Sequence, residues 1–227
     1  MKKTILLLLV LLLAPLAHSQ WQVGNHNFKP ASTACAPFTD PFSGTMGTAL
    51  NSAWWTNVPV WGLGGGTLVQ DSGLLVGNAA FRGGASIETL CAPSLNSYVQ
   101  FTLTAIDGQN IAVLMDTDSL GNGYTFGWNG TGSVNVGVSK CVTGTCTWQQ
   151  YLACPANTIT GGVYKAVSTK VAGTSATLTL YQNGVLCNGN GPYVDTTSPY
   201  LGNYGGLMIT PNTSQTGDEV SNVTIVN

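Results

Sequence analysis

Apolar and polar residues alternate with a period of two along most of the chain. In an extended strand, Val99, Phe101 and Leu103 would point to one face, with Gln100 and Thr102 on the other. Similar alternating or short apolar segments lie at residues 74–76, 111–115, 124–128, 134–138, 163–169, 176–180, 206–209 and 220–226. No segment keeps the spacing of an amphipathic helix, so the pattern predicts roughly a dozen short strands.

Turn-forming residues separate these strands. Gly, Asn, Ser and Asp recur between them, and Asn183-Gly184 is the strongest hairpin signal in the chain. This spacing is typical of an all-β sandwich with two antiparallel sheets. Neither an internal repeat nor a Pro- or Ser-rich linker divides the chain, which predicts a single domain.

The first residues have the layout of a secretion signal. Lys2 and Lys3 precede an apolar run over residues 5–13, and Ala17-His18-Ser19 places small residues where a signal peptidase cleaves. The run is too short to span a bilayer. We expect cleavage between Ser19 and Gln20 and release to the extracellular space or a periplasm. The predicted organisation is a signal peptide (1–19), an arm that joins the first sheet (20–39) and one sandwich domain (40–227).

Six cysteines follow the predicted signal: Cys35, Cys91, Cys141, Cys146, Cys154 and Cys187. An even number in an exported chain indicates three disulfides, although spacing alone does not decide their pairing. Cys141 and Cys146 bracket a hairpin turn and could bridge neighbouring strands, which would leave Cys154 with Cys187 and Cys35 with Cys91. A zinc site is the weaker alternative, because CxxC spacing and a second histidine are missing.

Charge is scarce. Only 7% of residues are Asp, Glu, Lys or Arg, where ordinary soluble domains have about 25%. Without the predicted signal, five basic and nine acidic residues give a net charge near −4, with one histidine, His26. A basic surface for phosphate backbones is missing, which argues against nucleic acid as a partner.

Several short motifs occur in a set order from residue 40 to the end. Asp40-Pro41-Phe42-Ser43-Gly44 precedes Ala53-Trp54, and residues 178–184 form a strand followed by Asn-Gly. Residues 202–207 and 218–220 come last. This ordered set of motifs resembles the concanavalin A-like lectin/glucanase superfamily, in particular its laminin-G-like domains.

The resemblance implies a jelly-roll sandwich of two antiparallel sheets, one of them concave, with the final strand close to the first. It leaves function open, because the superfamily includes glycan-binding modules, glycosidases and adhesion domains. The individual residues must therefore distinguish these classes.

A glycoside hydrolase needs two carboxylates about 5–5.5 Å apart if it retains configuration. In relatives these form a Glu-x-Asp-x-(x)-Glu run, which this chain lacks, since Glu88 and Glu219 are far apart in sequence. Asp116 and Asp118 have a spacing that would place both on one strand face, but a turn-forming segment follows them directly. We therefore expect a non-catalytic protein.

Two sets of residues could hold a metal. Asp116, Asp118 and Asn122 offer the oxygen ligands that calcium prefers. Residues 112–117 faintly resemble the metal strand of legume lectins, yet Leu114 replaces its glutamate and its histidine is missing. Asp218 resembles the acid that binds structural calcium at the start of the last strand in several relatives. The alternative in both cases is a turn aspartate bonded to its own backbone. No cofactor is certain, and calcium is the candidate metal.

Aromatic residues are the candidates for glycan binding. Tyr124 and Trp128 share one face of a strand and precede Asn129. An outward face would make them a stacking strip, and an inward face would place them in the core. Trp55 and Trp61 lie near a Pro/Gly-rich loop and are expected to be exposed, whereas Trp54 matches a core position of the superfamily.

Three hypotheses follow. The first is a secreted, non-catalytic, lectin-like module that binds extracellular carbohydrate. The second is a structural or adhesion subunit of the cell surface or of an extracellular assembly, which would self-associate or bind a surface protein. The third, and the weakest, is a glycoside hydrolase that uses Asp116 and Asp118.

Overall fold

A computed structural model describes residues 37–61, 66–78, 84–91, 93–107, 110–129, 135–156, 160–187, 189–200, 204–210 and 217–227, with the backbone alone at 110, 129 and 135. This part of the chain forms two sheets and has no helix. The ten-stranded sheet contains β1 (Phe38–Thr39), β2 (Thr48–Ala49), β4 (Leu68–Asp71), β5 (Leu74–Gly77), β7 (Asn96–Ala105), β12 (Val163–Val171), β13 (Ser175–Gln182), β14 (Val185–Leu186), β15 (Tyr193–Asp195) and β17 (Glu219–Val226). The seven-stranded sheet contains β3 (Trp55–Asn57), β6 (Gly84–Glu88), β8 (Asn110–Thr117), β9 (Gly123–Asn129), β10 (Asn135–Val142), β11 (Thr145–Ala153) and β16 (Tyr204–Ile209).

The strand order is that of a jelly roll. The ten-stranded sheet runs β14-β13-β12-β7-β17-β5-β4-β2, with β1 beside β17 and β15 beside β13, and the seven-stranded sheet runs β11-β10-β9-β8-β16-β6-β3. The chain crosses between sheets from β7 to β8, from β11 to β12 and from β16 to β17. β17 pairs antiparallel with β1, as the resemblance implied. The predicted two-sheet antiparallel sandwich is confirmed.

The core lies between the sheets because the long strands bury alternate residues. In β13 every second side chain, from Ala176 to Gln182, is buried. Phe101 of β7, Trp128 of β9 and Tyr164 of β12 pack against one another, with ring centroids 5.1–5.7 Å apart. The segments predicted from alternation coincide with β5, β7, β8, β9, β10, β12, β13, β16 and β17.

The described residues all belong to one compact unit. The predicted signal peptide and most of the predicted arm, apart from residues 37–39, lie outside them. Within the described ranges no helix could serve as a membrane span.

Two of the expected disulfides are present. Cys141 pairs with Cys146 across β10 and β11, and Cys154 pairs with Cys187. Cys91 is also disulfide-bonded, and its expected partner, Cys35, lies outside the described residues.

A buried ion pair crosses the sandwich. Lys170 of β12 and Asp116 of β8 have fully buried side chains, with 2.7 Å between Nζ and Oδ1. Ser168 donates a hydrogen bond to Asp116 Oδ2 over 2.6 Å. The two strands belong to different sheets, so the pair ties the sheets together. Removing one partner of such a pair leaves an uncompensated buried charge.

The last residue of the chain is held in the sandwich by Glu88. Asn227 Nδ2 donates to Glu88 Oε2 over 2.6 Å, and Asn227 Oδ1 accepts from the Gly205 N–H over 2.6 Å. The backbone N–H groups of Leu90 and Cys91 also donate to Glu88 Oε1. Burial raises the pKa of Glu88 to about 7, against the lowering effect of these hydrogen bonds.

We expect Lys170→Ala to lower the free energy of unfolding by about 3–5 kcal/mol, because Asp116 would stay buried without its partner. Urea denaturation measures the change. Lys165→Ala is the matched control on the same strand, since its ammonium lies over the Tyr98 ring and outside the core, 4.0 Å from the ring centroid. That control should cost about 1 kcal/mol or less. Equal losses in both variants would contradict a structural role for the buried pair.

The pKa of Glu88 predicts a pH dependence. Between its ordinary value of 4.5 and about 7, the folded protein holds a proton that the unfolded chain releases. Stability should therefore fall as pH rises through this window. Glu88→Gln should flatten the slope of unfolding free energy against pH, although burial also raises the pKa of Asp218 and some slope will remain. An unchanged slope in this variant would refute the assignment.

Candidate functional site

The outward residues of β9, β10 and β11 form the candidate site. On β9, Tyr124, Phe126 and Trp128 point into the core, so Thr125 and Gly127 point outward. On β10 and β11, other side chains that alternate in the same way complete the core: Val136, Val138 and Leu152. The outer face of this half of the seven-stranded sheet is therefore built from the residues between them.

Glycines form the floor of the site. Gly127 of β9 pairs with Gly137 of β10, and Gly137 pairs with Tyr151 of β11. In the next row Ser139 pairs with Trp148. The rings of Trp148 and Tyr151 border the bare backbone at Gly137, each with an atom 3.8 Å from the place of its missing Cβ. The two rings thus lie over the sheet backbone at Gly137, and their outer faces are the surface on which a flat ligand would pack.

A β-bulge places both rings on the same face. Residues 148 and 151 would point to opposite faces of a regular strand, since they are three apart. The register of β10 and β11 shifts between Val138 and Ser139, so that Gln149 is the extra residue and both aromatic side chains face outward. Trp148 is 53% exposed and Tyr151 is 49% exposed, with ring centroids 5.1 Å apart. Two neighbouring exposed rings are a candidate interaction surface.

Trp61 supplies a third exposed ring. Val58 and Val60 belong to an apolar cluster on the outer face of the seven-stranded sheet, and Trp61 follows them with 45% exposure. Its backbone N–H donates to Gly144 O over 2.9 Å, at the turn between β10 and β11. Beside it lies an open pocket of about 390 Å³, lined by Pro59, Trp61, Thr143, Gly144, Thr145 and Cys146.

The predicted stacking strip on β9 is wrong. Tyr124 and Trp128 are buried between the sheets, which is the inward alternative, and the side chain of Asn129 lies outside the described residues. The expected exposure of Trp55 is also wrong. It is buried in the core, where its indole N–H donates to Asp40 Oδ2 over 2.8 Å. Of the predicted ligand-binding residues, Trp61 is exposed as expected.

Sequence reasoning missed Trp148 and Tyr151 as a pair. Their three-residue spacing does not match one strand face, so only the bulge reveals them. The signal in the sequence that could have pointed to these two rings is the uncharged segment from Thr145 to Ala153, which contains both of them.

The predicted metal set at Asp116, Asp118 and Asn122 is also wrong, because every carboxylate oxygen in it is already engaged. Asp116 Oδ1 is paired with Lys170 and its Oδ2 accepts from Ser168, both on a strand of the other sheet. Asp118 Oδ1 accepts from the N–H groups of Leu120 and Asn122 at 2.9 and 3.0 Å, and its Oδ2 accepts from Asn122 Nδ2 at 2.8 Å. These are the bonds of a turn aspartate, the alternative considered for this segment.

Asp218 keeps the chemistry of a cation ligand. Its carboxyl group is fully buried, and Oδ1 accepts from the Asp107 N–H over 2.9 Å. Oδ2 has no hydrogen-bond partner within the described residues. Asp107 Oδ2 lies 2.0 Å from the place of a Cβ on Gly217, so its carboxylate packs beside the residue that precedes Asp218. Burial raises the pKa of Asp218 to about 7, and the charge of Asp107 adds to the effect.

Two adjacent carboxyl groups with an unsatisfied oxygen suit a hard cation such as calcium. Calcium takes more oxygen ligands than these two residues supply, so calcium binding at Asp218 stays a prediction. Asp107 was not foreseen, because it is far from Asp218 in sequence. Groups of three or more His, Cys, Asp or Glu side chains suited to a metal do not occur in the described ranges.

Carboxylates are missing from the outer face beside the aromatic rings. The described outward positions of β8, β9 and β10 are uncharged, and all of them except Gly127 and Gly137 are buried: Ala112, Leu114, Thr125, Gly127, Gly137, Ser139 and Cys141. All nine acidic residues of the chain fall within the described ranges, and Glu88, the acid on β6, points inward beside Trp55.

Comparison with known proteins shows the fold. No family model and no curated protein matches the sequence. Among solved structures, carbohydrate binding module CBM66 from Bacillus subtilis is similar with a TM-score of 0.52 and 15% identity over 76% of this chain and 95% of that one. Bacillus licheniformis β-glucanase has a TM-score of 0.52 and 11% identity over 85% and 98%. A legume lectin-like domain from Entamoeba histolytica has a TM-score of 0.51 and 12% identity over 86% and 97%. The chain thus has the concanavalin A-like lectin/glucanase fold.

We expect millimolar calcium to raise the midpoint of thermal unfolding, because an ion held by the folded state alone stabilises it. Asp218→Asn should abolish the shift. Asp118→Asn is the control and should keep it, since Asp118 only closes a turn. A calcium response that depends on Asp118 rather than Asp218 would reverse the assignment.

Proposed function

We propose that the protein is an exported, non-catalytic module that binds a neutral polysaccharide on the outer face of its seven-stranded sheet. The observation that carries the proposal is the exposed Trp148–Tyr151 pair beside the glycine floor at Gly127 and Gly137. Trp61 and its pocket extend the same surface at the turn of the β10–β11 hairpin.

The chemistry of this surface suits sugar rings. A pyranose has apolar C–H faces that pack on aromatic rings and hydroxyl groups that need polar partners. Trp148 and Tyr151 offer large rigid contact areas with little side-chain entropy to lose. β11 carries no charged side chain, and the partly exposed outward positions beside it on β9 and β10 are Gly127 and Gly137, so an uncharged glycan is favoured over a sulfated or uronic one.

Lack of a suitable acid pair supports binding without catalysis. The fold is shared with a glucanase as well as with a binding module, so it does not decide between them. Hydrolysis with retention needs two carboxyl groups about 5–5.5 Å apart at the glycosidic bond. Asp116, which a hydrolase hypothesis would use, is fixed in the buried ion pair with Lys170.

The secretion signal that the sequence predicts and the disulfides both support export. Cys141–Cys146 and Cys154–Cys187 are the kind of bonds that persist in oxidising compartments. A carbohydrate-binding module would meet its polysaccharide there.

One feature favours the structural or adhesion hypothesis as a second candidate. β11 is the edge strand of its sheet, is nine residues long and carries no charge. Such an edge can pair with another chain. Asn190 Nδ2, however, donates to Tyr151 O over 3.0 Å and so occupies part of this edge.

We expect Trp148→Ala and Tyr151→Ala each to weaken polysaccharide binding about tenfold or more, roughly 1.4 kcal/mol. Affinity electrophoresis against a β-1,3-glucan, a β-1,4-glucan, a xylan and a mannan measures the change. Tyr181→Ala is the matched control, because Tyr181 lies on the outer face of the other sheet. It should bind like the unaltered protein.

If the unaltered protein retains none of these polysaccharides, or if Tyr181→Ala weakens binding as much as Tyr151→Ala, the proposal is wrong. Release of reducing sugar from any of them would show a hydrolase instead. Concentration-dependent dimers in light scattering that Trp148→Ala abolishes would favour the second candidate.

A further inference from the structure

Three chain segments meet at the turn of the β10–β11 hairpin. The Trp61 N–H donates to Gly144 O over 2.9 Å from one side. From the other side, Asn122 Oδ1 accepts from the Thr143 N–H over 2.8 Å, and Gly121 O accepts from the Gly144 N–H over 3.3 Å. The hairpin turn is thus the joint between the segment that carries Trp61 and the loop between β8 and β9.

The joint is too tight for ordinary residues. A Cβ on Gly121 would lie 2.0 Å from Pro59 O, and one on Gly144 would lie 2.6 Å from the same oxygen. Both glycines also have positive φ angles, 75° and 77°. The acceptor Asn122 is itself fixed, because Asp118 accepts hydrogen bonds from its backbone and its side chain.

Trp61 is held in an unusual backbone conformation at this joint. Its φ is 56°, in the left-handed region that a bulky side chain rarely adopts. Such a conformation persists where surrounding contacts impose it, and these cases concentrate at ligand sites. Here the contact on the Trp61 backbone is the hydrogen bond to Gly144. The position of the exposed indole therefore depends on the position of the hairpin turn.

The Cys141–Cys146 disulfide closes the hairpin directly behind that turn. The two cysteines are paired residues of β10 and β11, with only the four residues of the turn region between them. Cys146 is half-buried and lines the pocket beside Trp61, whereas Cys154 and Cys187 are both buried. Of the two disulfide pairs described, this one is open to solvent at the candidate site.

We propose that the Cys141–Cys146 disulfide is a positioning group for Trp61, a reducible latch that fixes the hairpin turn and thereby one wall of the binding pocket. The inference deepens the proposed function and rests on it for the role of Trp61. Breaking the bond leaves the β10–β11 hydrogen bonds and the core in place, but frees the turn from its constraint.

Reduction follows ordinary thiol–disulfide exchange. A small dithiol attacks Sγ of Cys146, the accessible sulfur, and Cys141 leaves as a thiolate that takes up a proton. The second sulfur of the dithiol then displaces Cys146, which is also protonated, and the reductant becomes a cyclic disulfide. Two electrons and two protons pass to the protein, and the pocket gains two thiols in place of one S–S bond.

Hydrogen exchange tests the latch without any ligand. In the Cys141→Ser/Cys146→Ser variant, NMR should show exchange of the Trp61 amide at least tenfold faster than in the oxidised protein. The Val58 amide is the internal control, since it donates to Ala85 O on β6 and not to the hairpin. Its exchange should be unchanged, which also shows that the variant is folded.

A further variant loosens the same turn without touching sulfur. Asn122→Ala removes the acceptor of the Thr143 N–H and the donor to Asp118, and should also speed exchange at Trp61. If neither Asn122→Ala nor the serine variant changes exchange at Trp61, the proposal is overturned.

Binding tests the role in function. On the polysaccharide that the unaltered protein retains best, the serine variant should bind at least fivefold more weakly, and dithiothreitol should produce the same loss in the unaltered protein. Faster exchange with unchanged affinity would overturn the positioning role. If the unaltered protein retains no polysaccharide, the proposed function fails, while the exchange result still decides whether the disulfide fixes Trp61.

Discussion

Packing of Phe101, Trp128 and Tyr164 between the two sheets is the interaction on which the rest of the structure depends. Their rings join β7, β9 and β12, so they bring strands of both sheets into register. Because side chains alternate along a strand, burial of Trp128 also sends Gly127 outward. The core thus determines which residues face outward on β9, and the sequence places a glycine at that position.

The few charged residues of the chain act mainly inside the sandwich. Six of the nine acidic residues are buried: Asp40, Glu88, Asp116, Asp195, Asp218 and Glu219. Asp195 shows how they are satisfied. Burial raises its pKa, but hydrogen bonds from Lys140 and Tyr124 outweigh this and hold the pKa at about 2. The surface is correspondingly built from Thr, Ser, Asn, Gly and aromatic residues, which suits contact with an uncharged polymer.

The fold alone leaves function open, since solved structures similar to this one include a binding module, a lectin-like domain and a glucanase. Side chains on one outer surface support the proposal of a binding module. A bulge turns Trp148 and Tyr151 of the β10–β11 hairpin to the same side. Trp61 comes from another segment, and its backbone is hydrogen-bonded to Gly144 at the turn of that hairpin. The aromatic surface is therefore a property of local irregularities in a regular sandwich, which is why it is not shared automatically by every protein with this fold.

The sequence by itself determined most of the long strands and the two-sheet architecture, because period-two burial and turn residues are local properties. It indicated disulfides without deciding their pairing, which the structure shows for Cys141–Cys146 and Cys154–Cys187. It also showed that Asp116 and Asp118 precede a turn. Only the tertiary structure decided which face of β9 is buried, since alternation is the same whichever side meets the other sheet. It likewise decided that Trp148 and Tyr151 lie together, because a bulge depends on the register with β10. It also brought Asp107 to Asp218, because the strands next to these two residues, β7 and β17, are neighbours only in the folded sheet.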